Sequence, residues 1–306
     1  MTLRLVLILA LCSVAAAQDL ISAKAGYLNY RENWRSGDRR QLADGETFRS
    51  TRGRSELLLT PGSFLRLEQG AEIRMISTQL IAPAVELVDG IVGLEVNEIA
   101  KNGRLTLLWG PYRDDQAVVI EKRGLYRFHA DARSLRIYVQ DGKLQVPGMK
   151  DALGRGKWVE LTAQGAPREV ARFERKYRDS FDLWSANRAS QLSFASRRSA
   201  FSLMDARFPG SVWAFNGFCG CYTFLPRSFM YSPWGYSFYS PRTIYVVMQP
   251  PSSSIGNRGG DPGWGGRGGL ASGPAVSAPG STSMAPNLPA PRTTSPSTAA
   301  GRPVVQ

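Results

Sequence analysis

The chain of 306 residues has one histidine, His129. A multi-histidine metal site is therefore excluded, and a Ser-His-Asp triad would have to use His129 alone as its base. Cysteine is almost as scarce, with only Cys12, Cys219 and Cys221. A small disulfide-stapled domain needs more, so the core must rest on apolar burial. No apolar run reaches the roughly 20 residues of a membrane-spanning helix; the stretch Ile244–Met248 is strand-sized. There is no Gly-x-Ser-x-Gly elbow, no P-loop and no dinucleotide fingerprint. Asp114, Asp115 and Asp131 could offer oxygen to calcium, but EF-hand spacing is missing. No cofactor is expected. Paired carboxylates for glycoside hydrolysis depend on spatial rather than sequence spacing, and nothing in the sequence favours them.

What is present begins with an export signal. Arg4 precedes an apolar run from Leu5 to Val14, and Ala15-Ala16-Ala17 supplies small residues before Gln18. This three-part arrangement predicts a cleaved signal peptide over 1–17, and therefore a periplasmic or extracellular protein with no transmembrane span after cleavage. Leu11 before Cys12 argues against lipidation. The net charge of +13 attracts anionic partners such as acidic polysaccharide or lipid head groups. Export lowers the weight on nucleic acid, which is not expected as a partner. The scattered arginines favour a plain role in solubility.

From Leu20 to about Val146 the pattern has period two. Leu135, Ile137 and Val139 alternate with Arg136 and Gln140, and Asp141-Gly142 then turns the chain. Leu65-Arg66-Leu67-Glu68 likewise predicts a strand with one buried face. Leu87-Val88-Asp89-Gly90-Ile91 repeats the strand–Asp-Gly–strand unit. The period then changes. Phe173, Tyr177, Phe181 and Trp184 define one face of an amphipathic helix expected from about Val170 to Ser196. Packing on the β-domain is the favoured role for that stripe, partner binding the other.

Residues 200–249 are crowded with aromatics interrupted by Gly and Pro, which forbids a long helix. The segment is read as irregular loops and short strands. They either cover the sheet or present a binding surface, with Trp213, Trp234, Tyr236 and Tyr239 as the candidate contacts. Cys219-Gly220-Cys221 is favoured as a local disulfide or an intermolecular bond over a metal or redox site. Residues 250–306 are rich in Gly, Pro, Ser and Ala and are expected to be disordered.

The order Ser36-Gly37-Asp38, Leu42-Ala43-Asp44-Gly45, Arg54–Leu67, Glu72–Met75 and Val85–Val92 resembles the FecR-type domain. Gly124–Phe128 and Tyr138–Val146 resemble its later strands. The chain after it resembles exported proteins in which a Phe-Asp-x-Trp helix, here Phe181–Trp184, and an aromatic segment, here Tyr231–Tyr236, follow such a domain. The resemblance implies an all-β extracytoplasmic domain, either a sandwich or an irregular solenoid. It is expected over 18–168, with the helix over 169–199. In the signalling members of the family it also implies a relay between an outer-membrane receptor and a sigma factor. Those members carry a cytoplasmic arm and a membrane helix before the domain. Here the domain follows the expected signal almost directly, so a direct anti-sigma role is not expected. The reading is a non-enzymatic module that binds or scaffolds an envelope protein or polysaccharide. Indirect participation in envelope signalling is the alternative, and an envelope hydrolase comes third.

Overall fold

The computed structural model describes residues 25–34, 40–110, 117–162, 167–204 and 210–248. The expected signal peptide, the Gly/Pro-rich tail and Asp114-Asp115 lie outside these residues. The described chain is mainly β. In order, the strands are β1 (Tyr27–Arg31), β2 (Thr47–Arg49), β3 (Ser55–Leu58), β4 (Ser63–Leu67), β5 (Glu72–Ser77), β6 (Ala84–Val96), β7 (Leu105–Trp109) and β8 (Val118–Ile120). Then come β9 (Gly124–Ala130), β10 (Ser134–Asp141), β11 (Lys143–Leu144), β12 (Leu153–Gly154), β13 (Lys157–Thr162) and β14 (Pro167–Arg172). A helix, α1 (Ser180–Ser202), follows. Two small hairpins come next, β15 (Val212–Asn216) with β16 (Cys221–Leu225) and β17 (Met230–Tyr231) with β18 (Ser237–Phe238). A second helix, α2 (Pro241–Met248), ends the described residues.

The 13-residue strand β6 organises the sandwich. Its first half pairs with β5 and β7, which extend to β2 and β8. Its second half pairs with β4 and β9, in the main ladder β1-β3-β4-β6-β9-β10-β13-β14. The change of partners falls at Asp89-Gly90, where Gly90 has φ +91°. The same turn chemistry that the sequence shows here as a hairpin signal is used inside one continuous strand. A Cβ at Gly90 would come within 2.7 Å of Ala71 Cα, so only glycine lets the two backbones approach. Apolar side chains from both ladders meet in one core, including Ile73, Val85, Leu107, Leu65, Phe128 and Ile137.

The second face of the main ladder departs from expectation. Alternation sends Leu65 and Leu67 into the sandwich core, but Arg66 on the opposite face is also buried, as are Glu56 and Glu95. The reason is that α1 and the β15–β16 hairpin lie over that face. Leu58 and Phe64 from the sheet, Leu192 from α1, and Trp213 and Phe224 from the hairpin form a second core there. A third, smaller cluster joins α1 to α2.

The helix begins at Ser180 rather than near Val170. Residues 167–172 instead continue the sheet as β14, paired with β13. Phe173 and Tyr177 therefore precede the helix, and Tyr177 is exposed. The start is set by Asp179, whose carboxylate accepts the Asp182 amide at 2.9 Å as an N-cap. Period alone did not reveal that stop. Ile244–Met248, read as strand-sized, lies in α2; Ser240 Oγ accepts the Thr243 amide, and Pro241 occupies the first helical position.

Candidate functional site

The cover over the main ladder is incomplete. α1 and the hairpins lie over β1, β3, β4 and β6, whereas the same face of β9 and β10 opens into a cleft of about 440 Å³. Its floor follows from strand alternation, with Arg127 and His129 on β9 and Tyr138 and Gln140 on β10. Phe173, Arg175, Tyr177 and Arg178, from the link between β14 and α1, make one wall. Trp234, from the β17–β18 turn, lines it beside Arg178.

Arg127 fixes the inner end. Its guanidinium donates to Asp179 Oδ2 at 2.6 Å and lies 3.1 Å from Asp182 Oδ2, so one side chain holds both acids of the first helical turn. Burial alone would push the Asp179 carboxyl up. Its hydrogen bonds from Arg127 and the Asp182 amide, with the Arg127 charge, outweigh this and hold it below its usual range. Arg127 Nε also donates to His129 Nε2 at 2.8 Å, so that imidazole nitrogen is an acceptor. Burial first, then the positive charges of Arg127 and Arg136, pushes His129 down to about 4. The histidine is thus neutral at physiological pH, and its basic nitrogen is already engaged. Tyr138 lies 5.0 Å from His129, stacks on Trp158 at 5.8 Å and meets Phe173 edge-on at 5.5 Å. Arg178 sits 4.9 Å above the Trp234 ring, a cation–π contact at the mouth. Arg175 Nε donates to the Gln140 carbonyl.

Beneath the helix lies a buried ion network. Arg66 reaches Glu56 Oε2 at 3.0 Å and Glu95 Oε2 at 2.7 Å. Arg188 from α1 reaches Glu56 Oε1 at 2.9 Å and covers the Tyr30 ring at 4.1 Å. Asn29 Nδ2 also donates to Glu56 Oε1, and Asn29 Oδ1 accepts the Tyr222 amide, which ties the hairpin to the same group. The two carboxylates shift in opposite directions. Burial raises Glu56, but Arg188 and Arg66 together outweigh it and hold Glu56 low. Among the described residues Glu95 has Arg66 as its one cationic partner, and burial leaves it raised. Between this network and the cleft is a cavity of about 10 Å³ lined by Arg66, Ser185 and Trp234. Among the described residues, Arg66 Nη2, Ser185 Oγ and Trp234 Nε1 have no protein hydrogen-bond partner, and the space suits one water molecule.

The four aromatic candidates are therefore separated. Trp234 is half-buried on the cleft wall. Trp213 is 1% exposed, packed edge-on against Phe64 at 5.0 Å and Phe224 at 6.2 Å, with no face left for a partner. Tyr239 rests on Phe229, and its backbone amide is bonded to Ser196 Oγ. Tyr236 follows the Ser232–Gly235 turn, where Ser232 Oγ accepts its amide. Cys219 and Cys221 are bonded to each other at the β15–β16 turn. Asp131 accepts the Arg133 and Ser134 amides and closes a turn. Sequence reasoning missed Arg127, Asp179, Asp182 and Arg178. Arg178, Asp179 and Asp182 were legible only as charges beside the aromatic Phe181–Trp184 segment, and Arg127 only as an alternating charge in a strand; neither signal gives a partner.

Among the described residues no group of His, Cys, Asp and Glu is placed to hold a metal ion, and no helix is long and apolar enough to cross a membrane. No family model and no curated protein matches the sequence. Among solved structures, the chain is similar to two crystal structures of a "putative anti-sigma factor" from Parabacteroides distasonis ATCC 8503. One is 13% identical with a TM-score of 0.32, over 46% of this chain and 63% of that one. The other is 12% identical with a TM-score of 0.33, over 54% and 75%. This is a distant structural similarity, at low identity and over part of the chain.

Proposed function

We propose that this chain is a non-enzymatic, extracytoplasmic module of the cell envelope, which acts indirectly in signalling or scaffolding by holding a partner in the β9–β10 cleft. The observation that carries the reading is the incomplete cover of the main ladder. Where α1 and the hairpins lie over the sheet, even its charged residues are buried and paired. Where they stop, the face stays open, floored by Arg127, His129, Tyr138 and Gln140 and walled by Phe173, Trp234 and arginines. Such a surface combines large rigid contact area with cations that pair carboxylates or phosphates. The expected export signal, and the resemblance of the sequence motifs to FecR-type domains, support the compartment.

Crosslinking in intact cells followed by affinity capture tests the reading, with the wild-type chain and Trp234→Ala run side by side. A discrete envelope component captured by the wild type, and lost in a variant of unchanged melting temperature, supports it. Identical capture by both chains, with a lowered melting temperature in the variant, would assign Trp234 to packing and remove the cleft as the contact.

A further inference from the structure

The covering layer carries a second surface on the side facing away from the sheet. Among the described residues from Leu183 to Met248, the exposed charges are Arg197, Arg198, Arg227 and Arg242, all of one sign. Along α1, the buried side includes Ala189, Leu192, Ala195 and Ala200. The opposite side exposes Leu183, Phe194 and Phe201, the last two separated by two turns, together with Arg197 and Arg198. Phe218, at the tip of the β15–β16 turn, is 72% exposed and stands 6.1 Å from Phe194. Arg198 lies 4.7 Å from the Phe218 ring and 5.9 Å from Phe194.

The tip is held in place. Asn216 is buried, and its Nδ2 donates to the Ala195 carbonyl and to Ser199 Oγ on α1. Its Oδ1 accepts the Phe218 and Cys219 amides. The Cys219–Cys221 bond closes the turn behind Phe218. The phenyl rings are therefore presented to solvent by a fixed scaffold, although exposing them in water is unfavourable.

We propose that this Phe194–Phe201–Phe218 face, with Arg197 and Arg198, docks on an anionic phospholipid surface. Phenyl rings carry no hydrogen-bonding group, so apolar contact is all that they contribute. At a bilayer interface the same pattern is matched on both counts, with rings among the upper acyl segments and guanidinium groups on phosphate oxygens. The chain's net charge of +13 favours the same encounter. This surface is separate from the cleft, so either assignment can fail without the other.

The test is co-sedimentation of the full chain with phosphatidylcholine vesicles with or without phosphatidylglycerol. The wild type is expected to bind the anionic vesicles and to be released as salt rises. The Phe194→Ser/Phe218→Ser variant should bind roughly tenfold more weakly, because two ring insertions are lost. Arg197→Gln/Arg198→Gln should reduce binding to anionic vesicles and flatten the salt dependence. All four positions are exposed, so melting temperatures should match the wild type. As an independent readout, Phe218→Trp should add fluorescence that brominated lipids quench. Equal binding by the wild type and the Phe194/Phe218 variant would place the contact elsewhere and overturn the proposal. Retention on an acidic polysaccharide with no vesicle binding would overturn it in favour of a glycan surface.

Discussion

Replacing Arg188 with methionine removes one of two cations from a buried set of four charges. In the wild type, Glu56 and Glu95 balance Arg66 and Arg188, and none of the four side chains is more than 5% exposed. Methionine keeps the aliphatic bulk of arginine, so the packing change is small. The hydrogen bonds to Glu56 Oε1 and Gln191 Oε1 are lost, as is the contact over Tyr30. Breaking a buried pair by removing one partner costs about 3–5 kcal/mol, because the other charge is left uncompensated. Glu56 keeps Arg66 and Asn29, so the lower end applies, about 3 kcal/mol, or a fall of about 6–12 °C in melting temperature for a body of this size. The measurement is urea unfolding followed by tryptophan fluorescence and circular dichroism together.

Two further results separate this charge argument from simple loss of packing. Glu56→Gln/Arg188→Met leaves Arg66 and Glu95 as a neutral pair, so the double variant should be at least about 1.5 kcal/mol more stable than the sum of the two single changes implies. The second result concerns pH. In the wild type Glu56 is held low, so its contribution is present above the ordinary carboxylate pKa and is lost as pH falls through its lowered folded value. Without Arg188 it resembles Glu95, whose carboxyl is raised by burial. A raised carboxyl stabilises the fold below its unfolded pKa and loses that contribution as pH rises through the folded value. The gap between wild type and Arg188→Met should therefore narrow as pH is lowered from neutrality towards 5. A cost under about 1 kcal/mol, an additive double variant, or a gap constant with pH would refute the reasoning.

Gly90→Ala should destabilise by about 3 kcal/mol or more, since it places a side chain at positive φ and against the Ala71 backbone; equilibrium unfolding measures it, and a change under about 0.5 kcal/mol would remove Gly90 as the point where β6 changes ladders. Asp179→Ala removes the helix cap and one of the two acids on Arg127, with an expected cost of about 1–2 kcal/mol and faster amide exchange confined to the first turn of α1. Trp213→Ala should cost about 3–5 kcal/mol, in contrast to Trp234→Ala at the cleft; similar losses for both would contradict their different burial. A crystal structure at high resolution should show one water hydrogen-bonded among Arg66, Ser185 and Trp234.

The legible part of the fold was the part governed by local period and turn chemistry. Leu135, Ile137 and Val139 do enter the core, and Gly142 does take positive φ. What was not legible depends on which surface lies over a strand. Glu56, Arg66 and Glu95 alternate with apolar neighbours as solvent-facing charges would; Leu58 and Phe64, on the same face of the same strands, are the one local sign that this face is covered, and they do not say by what. The distinguishing partner, Arg188, is 132 residues from Glu56 along the chain. The same blindness applies to the aromatic candidates. Trp213 and Trp234 sit in similar Gly/Pro-rich sequence, yet one is a core ring and the other a cleft wall, because Trp213 lies on a paired strand above Phe64 and Trp234 lies in a turn beneath Arg178.

These details assign different work to the two sides of the covering layer. On its inner side Arg188 and Asp182 bond to the sheet, while Asn216 and Thr223 tie the β15–β16 hairpin to α1 carbonyls, and together these contacts fix the position of α1. That fixation decides where the cover ends and hence where the cleft opens, since Arg127 grips the first turn of α1 at the boundary. A change that loosens Arg188 should therefore disturb Trp234 and the cleft mouth even though Arg188 is absent from the cleft lining. Reduced capture by Arg188→Met at a temperature where the variant remains folded would show that coupling; undiminished capture would show that Arg127 and Asp179 hold the helix end without the buried network.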